Sequence, residues 1–385
     1  MTDNLNKTST LVDKLIRPEL KELKPYESAR RLFSMSGSDD TNTVWLNANE
    51  NPYSPNVSAD PSLYNRYPDF QPEPLINAYS QYAAVKPEQV LATRGADEGI
   101  ELLIRTFCSP GQNIIICPPT YGMYAISAET ANVNVTKVPL LSSFQLDVSS
   151  ILNQVDNAQI VFICSPNNPT GDVINRNDLV SVLEATKGNA IVVADEAYIE
   201  FSSEDTVTEL LNSYPNIVVL RTLSKAFALA GLRCGFTLAS EAIINAMKKV
   251  IAPYPIPAPV AQMATQALSE DGLLWMRRCV NELNSRRDAF IEKAKTWRFA
   301  NDVYPSKTNF VLMKLSETAF VKSENGSSEA LDANKVMTLF TEQQILLRNQ
   351  SKQLMLNNTI RVTIGCEEEM AAVENVFNLI EQKLD

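Results

Sequence analysis

Lys225 is the residue around which the chemistry of this sequence gathers. It lies in Arg221-Thr-Leu-Ser-Lys-Ala-Phe-Ala-Leu-Ala-Gly-Leu-Arg-Cys-Gly235, directly after the apolar run Ile217-Val-Val-Leu220. Such a run reads as a buried strand. A lysine just past its end meets the crevice where open α/β sheets bind ligands. Small and apolar residues follow from Ala226 to Leu232, and burial among them lowers an amine's pKa and frees it as a nucleophile. Thr222, Ser224 and Arg233 stand within eight residues of the lysine. An amine, two hydroxyls and a guanidinium suit a covalent link to an aldehyde beside a bound phosphate. The plain alternative is a surface lysine at a strand-to-loop junction, since lysines are mostly exposed.

Four other motifs share this layout. Ser165-Pro-Asn-Asn-Pro-Thr-Gly171 follows the apolar run 160–164 and presents Asn168 from a stiff loop; Pro, Asn and Gly also make ordinary turns. Asp195-Glu-Ala-Tyr198 follows the run 190–194. A carboxylate at a buried strand end needs a cationic partner, unless Asp195 merely caps a helix. Arg94-Gly-Ala-Asp-Glu-Gly99 opens an amphipathic helix. Backbone N–H groups near Ala96 and Asp97 can meet a phosphate there, although acidic residues favour any helix start. Tyr121, in Pro118-Pro-Thr-Tyr-Gly122, can stack on a planar ring or serve a core. The order is phosphate loop, stacking Tyr, Asn loop, strand-end Asp, then Lys. Together these residues describe a site for pyridoxal 5'-phosphate (PLP), with Asp195 pairing the protonated pyridine nitrogen that makes the cofactor an electron sink.

Composition narrows the alternatives. Of the 385 residues 45% are hydrophobic and 21% charged, an ordinary globular balance with room for two domains. The net charge of -11 argues against nucleic acid as a partner, so any phosphate pocket must be built from particular arginines and lysines. No histidine is present, which removes Ser-His-Asp triads and His-ligated metal sites; no metal is expected. The six cysteines form no C-x-x-C pair and read as reduced thiols. Residues 1–20 lack the apolar core of a signal peptide, and no run reaches the roughly 18 apolar residues of a membrane span. A cytoplasmic protein that touches no membrane is expected.

The elements that must position these groups follow from periodicity. The runs 114–117, 160–164, 190–194 and 217–220 are continuous rather than alternating, as in strands buried on both faces of a parallel or mixed sheet. Helical spacing marks 98–107, with Ile100, Leu103, Ile104 and Phe107 on one face, and 177–185. Residues 1–43 read as an N-terminal arm, 44–260 as a large α/β domain that binds the cofactor, and 261–385 as a smaller α+β domain. A Pro-rich hinge, Pro253 to Pro259, precedes a helical stretch over 260–297 with an interruption near Asp271-Gly272. The last part reads as strand 309–313, helix 333–341, strands 345–348 and 359–364, and a helix from Glu367.

This constellation resembles the class I/II aminotransferases, PLP enzymes of fold type I. Within that family the finer match is to the branch that transaminates histidinol phosphate. It is carried by Trp45-Leu-Asn-Ala-Asn-Glu-Asn-Pro52, Asn65-Arg-Tyr-Pro68, 94–103, Cys117-Pro-Pro-Thr-Tyr-Gly-Met-Tyr124, 193–201, 221–236, Leu346-Leu-Arg348 and Ile360-Arg-Val-Thr-Ile-Gly365. The resemblance implies a large domain with a mainly parallel seven-stranded sheet flanked by helices, and a smaller α+β C-terminal domain. It implies that Lys225 holds the cofactor covalently and shuttles the substrate α-proton, and that Asn168 and Tyr198 hydrogen-bond the ring oxygen. Tyr121 would stack on the ring. The loop at Ala96-Asp97, with Thr222, Ser224 and Arg233, would hold the cofactor phosphate. Tyr67 would reach that phosphate from the partner subunit of a homodimer. Arg361, Arg348 and Tyr26 would bind the substrate anions, those of histidinol phosphate and of glutamate or 2-oxoglutarate, in a step of histidine biosynthesis. A PLP decarboxylase of O-phospho-amino acids and an aromatic aminotransferase share Lys225, Asp195 and Asn168; the Asp195–Phe201 run and Tyr26 favour histidinol phosphate. A PLP-binding transcription regulator would need a basic DNA-binding segment, which the net acidic chain does not show.

Overall fold

The computed structural model describes residues 11–24, 43–322 and 328–384. Seven strands form the larger sheet: β1 (Val90–Thr93), β2 (Asn113–Ile116), β3 (Asn134–Lys137), β4 (Ile160–Cys164), β5 (Ile191–Asp195), β6 (Ile217–Thr222) and β7 (Gly235–Ala239). Their spatial order is β1-β7-β6-β5-β4-β2-β3. Strands β2 to β6 pair in parallel, whereas β7 runs antiparallel to both β1 and β6. The expected mainly parallel seven-stranded sheet is therefore present.

The apolar runs are continuous because this sheet separates two cores. Along β4, Val161 and Ile163 face one core while Ile160 and Phe162 face the other, as strand alternation requires. Every residue of β1, β4, β6 and β7 is buried. Fully burying one such side chain contributes roughly 1.5–3 kcal/mol, so the sheet is a rigid platform for whatever its strand ends carry. The helix Gly95–Phe107 covers one face with Ile100, Leu103 and Ile104, as their spacing predicts, and adds Leu102, while Phe107, expected on the same face, is only half-buried at the helix end.

A four-stranded antiparallel sheet makes up the C-terminal part: β8 (Ala300–Val303), β9 (Phe310–Leu315), β10 (Arg348–Asn349) and β11 (Thr359–Thr363), in the order β10-β11-β9-β8. Phe377, on the helix Glu367–Gln382, packs against Phe290, Trp297 and Phe340 and so joins three segments of this part. The expected single strand over 345–348 is in fact two. Ile345–Leu346 pairs in parallel with Val44–Trp45, and Arg348–Asn349 pairs with β11. The chain leaving the N-terminal arm thus joins the C-terminal part before it enters the large sheet.

The helical break also falls earlier than the sequence pattern suggests. One helix ends at Ala267 and the next spans Glu270–Ala294, with the Ser269 side chain accepting from the Gly272 N–H. Gly272 lies inside the second helix. Its glycine identity answers a packing need, since a Cβ there would sit 2.4 Å from the Ala267 carbonyl oxygen. No helix among the described residues is long and apolar enough to cross a membrane.

A buried ionic cluster locks the ends of β5 and β6 beneath the site. Arg221 donates from Nε to Glu196 at 2.6 Å and lies 3.7 Å from Glu200. Glu196 also accepts from the Val207 N–H, and Tyr82 donates to Glu200. Two carboxylates share one guanidinium, and Glu200 Oε2 has no hydrogen-bond partner. Burial pushes the Glu200 carboxyl up to about 7, against the pull of Arg221. Because the folded protein then holds a proton that the unfolded chain releases near its ordinary carboxylate pKa, this group favours folding at low pH. That contribution is lost as pH rises through about 7. Glu200→Gln is therefore expected to raise Tm relative to wild type at pH 8.5, by about 2 °C or more, with the gain vanishing near pH 5. A Tm difference that does not change with pH would show that Glu200 stays ionised in the fold.

Candidate active site

The carboxyl ends of β2, β4, β5 and β6 open into one cavity of about 760 Å³. Its walls bring together Lys225, Asp195, Tyr198, Asn168, Tyr121, Ala96, Asp97, Thr222, Ser224, Arg233, Arg348 and Arg361. Residues from four loops, one helix start and two sheets therefore meet where the sequence pattern requires. Two expected residues are not in this wall. Tyr67 is 81% exposed, stacked on Tyr254 with ring centroids 4.4 Å apart. Tyr26 lies outside the described residues.

Lys225 Nζ donates to the Ala48 carbonyl at 2.9 Å. Desolvation and then Arg361 bring the amine down to about 8, while Glu50 and Asp97 pull the other way. A half-buried amine with this pKa is a nucleophile and a proton carrier near neutral pH.

Asp195 is 2% exposed at the end of β5. Tyr124 donates to its Oδ2 at 2.6 Å and the Ala197 N–H to its Oδ1 at 3.1 Å. Desolvation nevertheless pushes the carboxyl up to about 6, with Tyr124 and Ala197 opposing it and Asp97 and Glu196 adding to it. Its hydrogen-bond partners are neutral, and its neighbouring charges are negative. A buried carboxylate in this state is completed by a protonated ring nitrogen, so the site fits a pyridinium cofactor.

The phosphate end fits as well. The helix Gly95–Phe107 begins without a side-chain cap, so its first N–H groups are open to an anion. Arg233 Nη1 donates to Ser224 Oγ at 3.2 Å, Thr222 Oγ1 donates to the same oxygen at 2.9 Å, and Arg233 Nη2 pairs with Asp97 at 3.2 Å. Two glycines permit the close approach. Gly95 has φ +80, and a Cβ there would lie 2.8 Å from Arg233 Nη2; a Cβ on Gly235 would lie 2.5 Å from the Gly95 carbonyl carbon.

Around the remaining wall, Tyr121 donates to Asp97 at 2.9 Å and meets Tyr124 edge-on. The Tyr198 hydroxyl accepts from Asn49 Nδ2 at 2.8 Å and from Asn168 Nδ2 at 3.4 Å. Both contacts use its oxygen as acceptor and leave its proton for a ligand. Burial raises its pKa despite Arg361, so it stays a phenol. Arg361 Nη1 donates to Asn168 Oδ1 at 2.5 Å and Nη2 to the Asn47 carbonyl at 3.0 Å, with the guanidinium 5.2 Å from the Phe310 ring centroid. Arg348 and Arg361 are direct cross-strand partners on β10 and β11. Like charges placed opposite one another destabilise a strand pair; facing a common cavity, they make a site for anions.

Sequence reasoning gave no role to Tyr124, Asn49 or Ala48, although all three lie in the stretches that carried the resemblance. Their partners are 71, 149 and 177 residues away in the chain. The place of Tyr124 on the helix that directly follows β2 was the available signal for its reach toward the neighbouring strand ends. None existed for the Ala48 carbonyl.

The model of the aminotransferase class I and II family matches residues 35–377. The histidinol-phosphate aminotransferase of Pseudoalteromonas atlantica is 49% identical over 94% of this chain and 93% of its own length. That of Vibrio parahaemolyticus is 48% identical over 95% of this chain and 100% of its own. The solved histidinol-phosphate aminotransferase of Sinorhizobium meliloti in complex with pyridoxal-5'-phosphate shares the fold, with a TM-score of 0.79 at 20% identity, covering 96% of this chain and 98% of that one. A family match over most of the sequence, relatives 48–49% identical over nearly all of it, and a lysine and a strand-end aspartate in one cavity lead to one assignment: the chain belongs to the class I and II aminotransferases.

Proposed function

We propose that this chain transfers the amino group of histidinol phosphate to 2-oxoglutarate, giving imidazole-acetol phosphate and glutamate, as a cytoplasmic step of histidine biosynthesis. The observation that carries the substrate reading is the cross-strand pair Arg348 and Arg361 in one cavity with Lys225 and Asp195. Both substrates are anions, yet one carries a phosphate and the other two carboxylates. A pair of guanidiniums accommodates both better than a single clamp. The names of relatives 48–49% identical over nearly the whole chain support the same substrate.

PLP, when bound, supplies an aldehyde and an electron-withdrawing ring. The residues of this chain do the rest. Lys225 forms the covalent link and takes or returns the proton at the substrate α-carbon. Asp195 keeps a proton on the ring nitrogen. Tyr198 and Asn168 donate to the ring oxygen, and Tyr121 covers the ring face. The backbone N–H groups at Ala96 and Asp97, with Thr222, Ser224 and Arg233, hold the phosphate. The division of labour follows the chain: the seven-stranded sheet lies wholly before residue 260 and carries the cofactor groups, and the four-stranded sheet lies after it and carries Arg348 and Arg361.

Half-reaction kinetics, with each amino donor measured separately, test the substrate. Arg361→Ala should weaken both glutamate and histidinol phosphate, by about 2–5 kcal/mol for a lost charge-assisted pair. Arg348→Ala should weaken the phosphate ester most. Equal binding of histidinol phosphate and unphosphorylated histidinol by the wild type would remove the substrate while leaving the aminotransferase.

The working unit is a homodimer with composite sites. Tyr67 supports this, because it is exposed and outside its own cavity, stacked on Tyr254 at a surface that a neighbour's site can meet. Dilution below the dimer dissociation constant is expected to release PLP and activity together. A fully active monomer would contradict it.

A further inference from the structure

Asn167 is 2% exposed and is not part of the cavity wall. Its amide nevertheless joins two loops that are. Thr120 Oγ1 donates to Asn167 Oδ1 at 2.9 Å, and Asn167 Nδ2 donates at 2.9 Å both to the Pro119 carbonyl and to Thr170 Oγ1. The backbone of Asn167 is fixed as well: its N–H donates to the Asp172 carbonyl at 2.7 Å, and its carbonyl accepts from the Gly171 N–H at 2.8 Å. The first loop follows β2 and the second follows β4, neighbours in the sheet. Next to Thr120 is Tyr121, and next to Asn167 is Asn168; both of these line the cavity. We propose that Asn167 is a positioning residue that sets the spacing between Tyr121, over the cofactor ring, and Asn168, at the ring oxygen; the proposal rests on the PLP reading above.

The physical argument is one of fit. The site asks a planar head group for one acceptor and two donors at once, and only an amide of this length supplies them. Asp has no donor for the Pro119 carbonyl. Leu fills the space but leaves the Thr120 hydroxyl and that carbonyl without their partner, and an unmade buried hydrogen bond is costly enough for the loops to shift. Asn168 has little slack to absorb such a shift, since Arg361 donates to its oxygen at 2.5 Å and its Nδ2 reaches Tyr198 only at 3.4 Å. A small displacement would lengthen that last contact first.

The test uses the PLP-saturated enzyme and follows the pH midpoint of the cofactor's visible absorbance band, a readout of the hydrogen bonds to the ring oxygen rather than of turnover. Asn168→Ala gives the reference direction. A donor lost from that oxygen disfavours the deprotonated form, so the midpoint rises. Asn167→Leu should move it the same way, by about 0.5 pH unit or more, and Thr120→Val should produce part of that shift. The double variant should shift no further than Asn167→Leu alone, because the two residues act through one bond. An Asn167→Leu enzyme with a lowered Tm but an unmoved midpoint would overturn the proposal and leave Asn167 as a loop brace only. Should Asn167→Leu not fold, an unmoved midpoint in Thr120→Val overturns it equally. Failure of the cofactor reading looks different: the wild type itself would then show no visible band with PLP, and the proposal would fall with it.

Discussion

Replacing Lys225 with alanine is expected to abolish transamination while leaving PLP able to bind. The proposed phosphate cradle of Ser224, Thr222 and Arg233 does not depend on the amine, and neither does Asp195. What disappears is the covalent link and the proton carrier, both at one atom. A positioned acid–base group alone accounts for about 10²–10⁴-fold, so the loss should exceed that range. The structure adds a reason why no neighbour takes over. Lys225 is the half-buried cavity amine, brought down to about 8 by desolvation and by Arg361. Tyr198 is held as a phenol by burial. Arg233 and Arg361 are guanidiniums that do not release a proton in this range. Borohydride reduction followed by mass measurement should add the cofactor's mass to the wild type and not to the variant. Turnover of the variant within tenfold of wild type would show that Lys225 is neither anchor nor proton carrier.

How much of this could be read in the sequence depends on chain distance. Strands β4, β5 and β6 were legible because burial on both faces forces unbroken apolar runs, and the groups at their ends were legible because a parallel sheet gathers its strand termini on one side. Lys225, Asp195 and Asn168 therefore meet as expected. Arg348 and Arg361 entered only through resemblance, and their face-to-face pairing depends on the register of β10 against β11, which neither short strand announces. The residues near 47–49 were least legible. Asn49 and Asn47 reach Thr363 and Arg361 across 314 residues, and Asn49 adopts φ 54, a conformation that Asn tolerates but does not signal. The misplaced helix break has a local cause. Gly272 looks like a helix end, but it is retained for contact with the previous helix, and Ser269 does the capping.

Asp195→Asn should leave the fold and the covalent attachment intact and still cost about 10²-fold or more in kcat, the scale seen when a preorganised electrostatic partner is removed. Asn matches Asp in size, so packing against Tyr124 and the Ala197 N–H changes little. Its carbonyl oxygen can keep one of those two donors, while its NH2 faces the other. The larger loss is the negative charge. In the cofactor-free protein, desolvation holds the Asp195 carboxyl up at about 6. Pairing with a ring N–H⁺ stabilises the carboxylate and pulls that value down, and the same coupling raises the ring nitrogen's pKa and keeps it protonated. The sign gives a second readout. PLP pairs with the ionised carboxylate, so wild-type affinity for PLP should fall as pH drops through about 6. The cofactor phosphate also titrates there, but it does so in both proteins. The difference between wild type and Asp195→Asn should therefore be largest above about 6 and shrink below it. A variant with kcat within a few-fold of wild type and the same pH dependence of PLP binding would make Asp195 a cap for the turn at Ala197 and nothing more.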